Sequence, residues 1–121
     1  MKLHLEFPAK RSAFEPGETI EALCVWQAEA GEALDRLELR VFWRTKGRGD
    51  TDVRVVKGHG IEDPERSGSM TVEIELPGSP YSFTSKLITL QWGLELVAFP
   101  TEESKSRRLV IAPEGQPVEL K

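Results

Sequence analysis

The stretch from Leu76 to Phe99 reads LPGSPYSFTSKLITLQWGLELVAF. Two prolines bracket a Gly-Ser turn, and an aromatic pair, Tyr81 and Phe83, follows. Then Ile88, Leu90, Trp92, Leu94, Leu96 and Ala98 recur at every second position. Successive side chains of a strand point to opposite faces, so these six share one face. The other face carries Thr89, Gln91, Gly93, Glu95, Val97 and Phe99. The run predicts a long strand, solidly apolar on one side and mixed on the other.

The same period extends outward in both directions. Met70, Val72, Ile74 and Leu76 alternate with Ser69, Thr71, Glu73 and Glu75, the cleanest period-2 pattern in the chain. Leu37, Leu39, Val41 and Trp43 oppose Glu38, Arg40, Phe42 and Arg44. Ile20, Ala22, Cys24 and Trp26 oppose Thr19, Glu21, Leu23 and Val25. Leu3, Leu5 and Phe7 form a half-buried strand ended by Pro8. Val53 and Val55 belong to a shorter strand, and Gly58-His59-Gly60 reads as part of a polar connection. Residues 29–34 read as a hairpin loop, because Gly31 interrupts a segment too short to stand as a helix. Thr101 to Arg108 reads as a polar turn, and Leu109-Val110-Ile111 as a short strand stopped by Pro113. Glu114 to Lys121 reads as a last short strand or a frayed tail.

Seven or eight strands with no covering helix must bury their apolar faces on one another. Two antiparallel sheets packed face to face satisfy this; a closed barrel is the competing solution, and periodicity alone does not separate them. At 121 residues the chain is expected to be one domain, residues 1–121, with a core of its own.

Composition narrows the function classes. Sixteen basic and 20 acidic residues give a formal charge of -4, against the basic face that nucleic-acid binders show. No apolar run approaches the ~18 residues of a membrane span. A charge or a histidine interrupts the first residues at every second position, so no signal peptide is read. The single cysteine, Cys24, has no internal disulfide partner. A cytoplasmic location is expected.

Few residues of the chain are able to perform chemistry. His4 lies on a polar strand face and His59 between two glycines. Cys24 shares a face with Ile20, Ala22 and Trp26, which predicts an inert core thiol. Asp50, Asp52, Glu62 and Asp63 would have to converge to hold calcium, but they flank opposite ends of one strand. Arg48-Gly49-Asp50 is ordinary turn composition. No catalytic, metal or cofactor motif is read, and the chain is expected not to be an enzyme.

Three ordered pieces carry a family resemblance. Phe14 to Ile20, FEPGETI, resembles the Pro-Gly-Glu turn near the start of arrestin-like domains. Leu37 to Asp50, LELRVFWRTKGRGD, is similar to the Trp-Thr-Gly strand and loop of smaller bacterial members. Leu76 to Leu96 resembles the arrestin segment in which a Pro-x-x-Pro turn leads into a long strand. The resemblance implies an immunoglobulin-like sandwich and a protein-interaction or scaffold role. Arrestins and the related sporulation-control proteins carry two such sandwiches, whereas this length has room for one, so receptor binding and phosphate sensing are not carried over.

Trp26, Trp43 and Trp92 are expected in the core. Phe42 sits on a charged face, and Tyr81 and Phe83 lie in or just after a turn. These three are the candidate partner contacts; folding back over a sheet edge or the core rim is the competing account. The expected mechanism is edge-strand or sheet-face recognition of a protein partner, with a homodimer as one arrangement. The alternative is a small apolar ligand or lipid held in a cavity lined by Trp26, Trp43 and Trp92.

Overall fold

A computed structural model describes residues 1–47, 51–78, 82–84, 88–112 and 118–119. Seven strands of five residues or more run through them: β1 (Lys2–Glu6), β3 (Thr19–Gln27), β4 (Arg36–Gly47), β5 (Thr51–Glu62), β6 (Ser67–Glu75), β8 (Ile88–Phe99) and β9 (Ser104–Ile111). Three two-residue strands, β2 (Ala13–Phe14), β7 (Phe83–Thr84) and β10 (Val118–Glu119), complete the described elements, none of which is helical.

The strands form two sheets. The smaller has the order β1-β3-β6, antiparallel throughout. The larger is built on β8, which pairs with β4 over its whole length; β4 in turn pairs with β5. The other edge of β8 is shared, with β7 opposite Leu90 and Thr89 and β9 opposite Trp92 through Val97. The short β2 and β10 add parallel to β9 and β7.

Alternation decides which side chains meet. Ile20, Ala22, Cys24, Trp26, Val72 and Ile74 come from the smaller sheet. Leu37, Leu39, Val41, Trp92, Leu94 and Leu96 come from the larger, and all twelve belong to one buried cluster. Trp43 packs against it half-buried, and the Trp26 indole donates to the Glu65 carbonyl at 2.8 Å. Each fully buried aliphatic side chain contributes roughly 1.5–3 kcal/mol relative to exposure. The protein is therefore a two-layer β-sandwich, not a closed barrel.

The lateral sides of the sandwich differ. On one, Arg107 of β9 donates through Nε to the Leu5 carbonyl of β1 at 2.8 Å. On the other, the terminal strands β5 and β6 leave a cleft of about 110 Å³ between Val41, Lys57, His59 and Ile74. The Lys57 ammonium donates across it to the Glu75 carbonyl at 2.9 Å.

Three local readings are corrected. Residues 28–35 do not close a hairpin: they carry the chain from β3 in one sheet to β4 in the other. Their turn is held by Arg66, whose guanidinium donates to the Glu29 and Glu32 carbonyls. The strand beginning at Thr51 does not stop before Gly58. It continues to Glu62, because Gly58 and Gly60 lie opposite Arg40 and Glu38 and leave room for the long side chains of β4. A Cβ at Gly58 would come within 3.1 Å of Glu38 Oε1. Residues 104–108 form the first half of β9, with exposed polar side chains, instead of a turn.

Candidate functional site

The outer face of the larger sheet and its free edge at β5 form the most distinctive surface. Up to Val41, β4 alternates buried Leu37, Leu39 and Val41 with outward Glu38 and Arg40. At that point the pairing with β5 shifts: Val41 opposes Lys57, but Phe42 opposes Val55. Val56 is the extra residue of a β-bulge, a device that bends a strand and ends regular pairing.

The bulge divides the outer face. On one side lies a chain of ion pairs. Arg36 binds Glu62 at 2.8 Å and Glu38 at 2.7 Å, and Arg40 binds Glu38 at 2.8 Å and approaches Glu95 at 3.9 Å. Hydrogen bonds from Arg40 and then Arg36 hold the Glu38 carboxyl below the usual carboxylate range. The Arg40 guanidinium also lies 5.6 Å from the centre of the Phe99 ring.

On the other side of the bulge the surface is apolar and cationic. Phe42 is half-buried and its ring covers Gly93 of β8, where a Cβ would lie 2.5 Å from the ring. Beside it a shallow cleft of about 220 Å³ is lined by Phe42, Arg44, Gln91, Gly93 and Arg108, with no carboxylate in its wall among the described residues. Toward the edge, Val53, Val55 and Val56 are 62%, 50% and 44% exposed. Among the described residues, no strand pairs with the outer edge of β5.

The aromatic candidates separate. Phe42 lies opposite Gly93, whereas Phe83 in β7 lies opposite Leu90. Positions 90 and 93 of one strand fall on opposite faces, so the register does not bring these two together. Tyr81 lies outside the described residues, as do Arg48, Gly49 and Asp50. The valines of β5 were missed as a surface. Their signal was present in the sequence: three valines among Asp52, Arg54 and Lys57, with no apolar face continuing beyond them. Ser82 was also missed. It is buried, its amide donates to the Ile111 carbonyl at 2.7 Å, and its Oγ accepts from the Ile111 amide at 3.1 Å.

The chemically reactive residues stand apart. Cys24 is fully buried, and burial pushes its thiol up to about 11. His4 pairs with Glu6 at 3.0 Å on the exposed face of β1. His59 lies opposite Leu39 in β5. Asp52 and Glu62 mark opposite ends of β5, and among the described residues no three His, Cys, Asp or Glu side chains form a metal-sized group. No helix among them is long and apolar enough to cross a membrane.

With this geometry, a solved structure of known identity aligns closely. The sporulation control protein Spo0M of Bacillus subtilis superposes with a TM-score of 0.62 over 93% of this chain, at 12% sequence identity. The fold is an arrestin-like β-sandwich. The chain spans 49% of the length of the Spo0M structure. No family model and no curated protein matches the sequence.

Proposed function

We propose that this chain is a non-catalytic, cytoplasmic interaction or scaffold module, one arrestin-like sandwich over residues 1–121, that receives a partner's strand along the free edge of β5. The observation that carries the reading is that edge: a terminal strand with three exposed valines, whose outer side pairs with no other strand among the described residues. Unpaired strand edges are templates for another strand, and most proteins blunt them. Beyond the bulge, β5 is blunted by Lys57 and two glycines; before it, Val53 and Val55 stand open. The likeness in fold to a sporulation control protein supports a regulatory role without chemistry. Phe42 is the proposed aromatic contact beside this edge. Tyr81 and Phe83 are proposed as further contacts.

The test is affinity capture from a native extract with the wild-type chain and a Val53→Lys/Val55→Lys variant. Both valines are exposed, so the variant should keep its melting midpoint while losing the captured protein. An unchanged set of captured proteins would show that the edge is not the contact.

A further inference from the structure

We propose that the occupant of the β5 edge is a second copy of this chain, paired antiparallel about a two-fold axis at Val53. This rests on the edge reading above and makes it specific.

The regular part of β5 before the bulge is short. Thr51 to Val55 oppose Lys46 to Phe42 one for one, and the ladder then breaks at Val56. Residues directly opposite in an antiparallel ladder share a face. A two-fold axis through the sheet therefore passes beside a residue that meets its own copy. Centring on Asp52 would oppose two carboxylates. Centring on Arg54 would oppose two guanidinium groups, and like charges directly opposite are destabilising. Centring on Val55 would draw the bulged Val56 into the ladder and set Lys57 against Val53.

Centring on Val53 has none of these faults. It uses the whole regular run, with Thr51 opposite Val55 at both ends. Val53 meets Val53 on the outer face. On the inner face each Asp52 meets an Arg54, giving two complementary pairs. Neither of these charges has an ion-pair partner among the described residues. The run is self-complementary in shape and in charge at this one register. Past it, the bulge and the tethering of Lys57 to Glu75 end the pairing. The result is one continuous sheet across two copies, an isologous contact of the commonest symmetric type.

Sedimentation velocity of the purified full chain over a concentration series tests this. A monomer–dimer equilibrium is expected. Val53→Lys should shift its midpoint at least tenfold to higher concentration, and so should Arg54→Asp. Adding Asp52→Arg to Arg54→Asp should restore the wild-type midpoint, because the swap re-forms both pairs. Under mild oxidation Val53→Cys should crosslink into dimers, since opposed residues lie about 4.5–5.5 Å apart at Cα. Arg54→Cys and Val55→Cys should not, and buried Cys24 supplies no background. A monomer at every concentration, a dimer indifferent to Val53→Lys, or crosslinking favoured at Val55→Cys would overturn the proposal. A chain that stays monomeric alone but captures another protein in a Val53-dependent way would overturn self-pairing and leave the edge reading standing.

Discussion

Trp92 lies opposite Trp43 of β4 and Leu109 of β9 and is 1% exposed. Replacing it with alanine removes a large ring from a core that the opposing sheet cannot collapse to fill. Trp92→Ala should lose about 3–5 kcal/mol of stability in urea denaturation; a loss below about 1 kcal/mol would contradict its burial. This residue was legible in the sequence, as were Cys24 and Trp26, because strict alternation assigns a face to each. Phe42 was legible only in part. Its outward position follows from alternation, but the ring's seat over Gly93 depends on a cross-strand neighbour 51 positions away in the chain, which no local pattern specifies. Ser82 escaped for a similar reason: its partner, Ile111, belongs to a distant strand.

Among the elements, β5 and β9 were read too short. Both are terminal or nearly so in their sheet, and much of each faces solvent. The apolar signal that marks a half-buried strand is therefore absent from Gly58-His59-Gly60 and from Ser104 to Arg108. What holds β5 there is β4, whose outward Arg36, Glu38 and Arg40 form the ion-pair chain. That chain has a pH signature. Glu38 has its pKa depressed in the folded protein. Its contribution is thus fully present above the usual carboxylate range and is lost as pH falls through the folded value. Stability measured by urea midpoint should decline from about pH 6 to about pH 3, and Glu38→Gln should flatten that decline. An equally steep acid limb in the variant would show that the network carries none of it. The Glu38 side chain is 20% exposed and those of Arg40 and Arg36 are 29% and 37% exposed, so solvent and salt screen part of the effect, and the slope should shrink in high salt.

At the scale of the molecule, the fold class was readable because every long strand repeats one demand: a second apolar face to lie against. The pairing of particular strands was not, since residues 28–35 look like a hairpin locally and yet cross between sheets. The resemblance pieces at Phe14–Ile20 and Leu76–Leu96 touch in the fold. Gly17, at a φ of 78°, donates to the Pro77 carbonyl at 3.3 Å, and Leu76 donates to the Glu18 carbonyl at 2.8 Å. The turn that opens β3 and the one that follows β6 thus brace each other at one end of the smaller sheet.

The Arg107–Leu5 hydrogen bond joins residues 102 positions apart. A sandwich with one side closed by such distant partners must pay that loop entropy before those contacts form, so it belongs to the slow class, folding in roughly milliseconds to seconds. Stopped-flow refolding should fall in that range, and Arg107→Ala should mainly speed unfolding if this side is sealed last. On the ribosome the order is stricter. Leu5 precedes Arg107 by 102 residues, so the β1 flank of the nascent core stays open to chaperones until β9 has emerged.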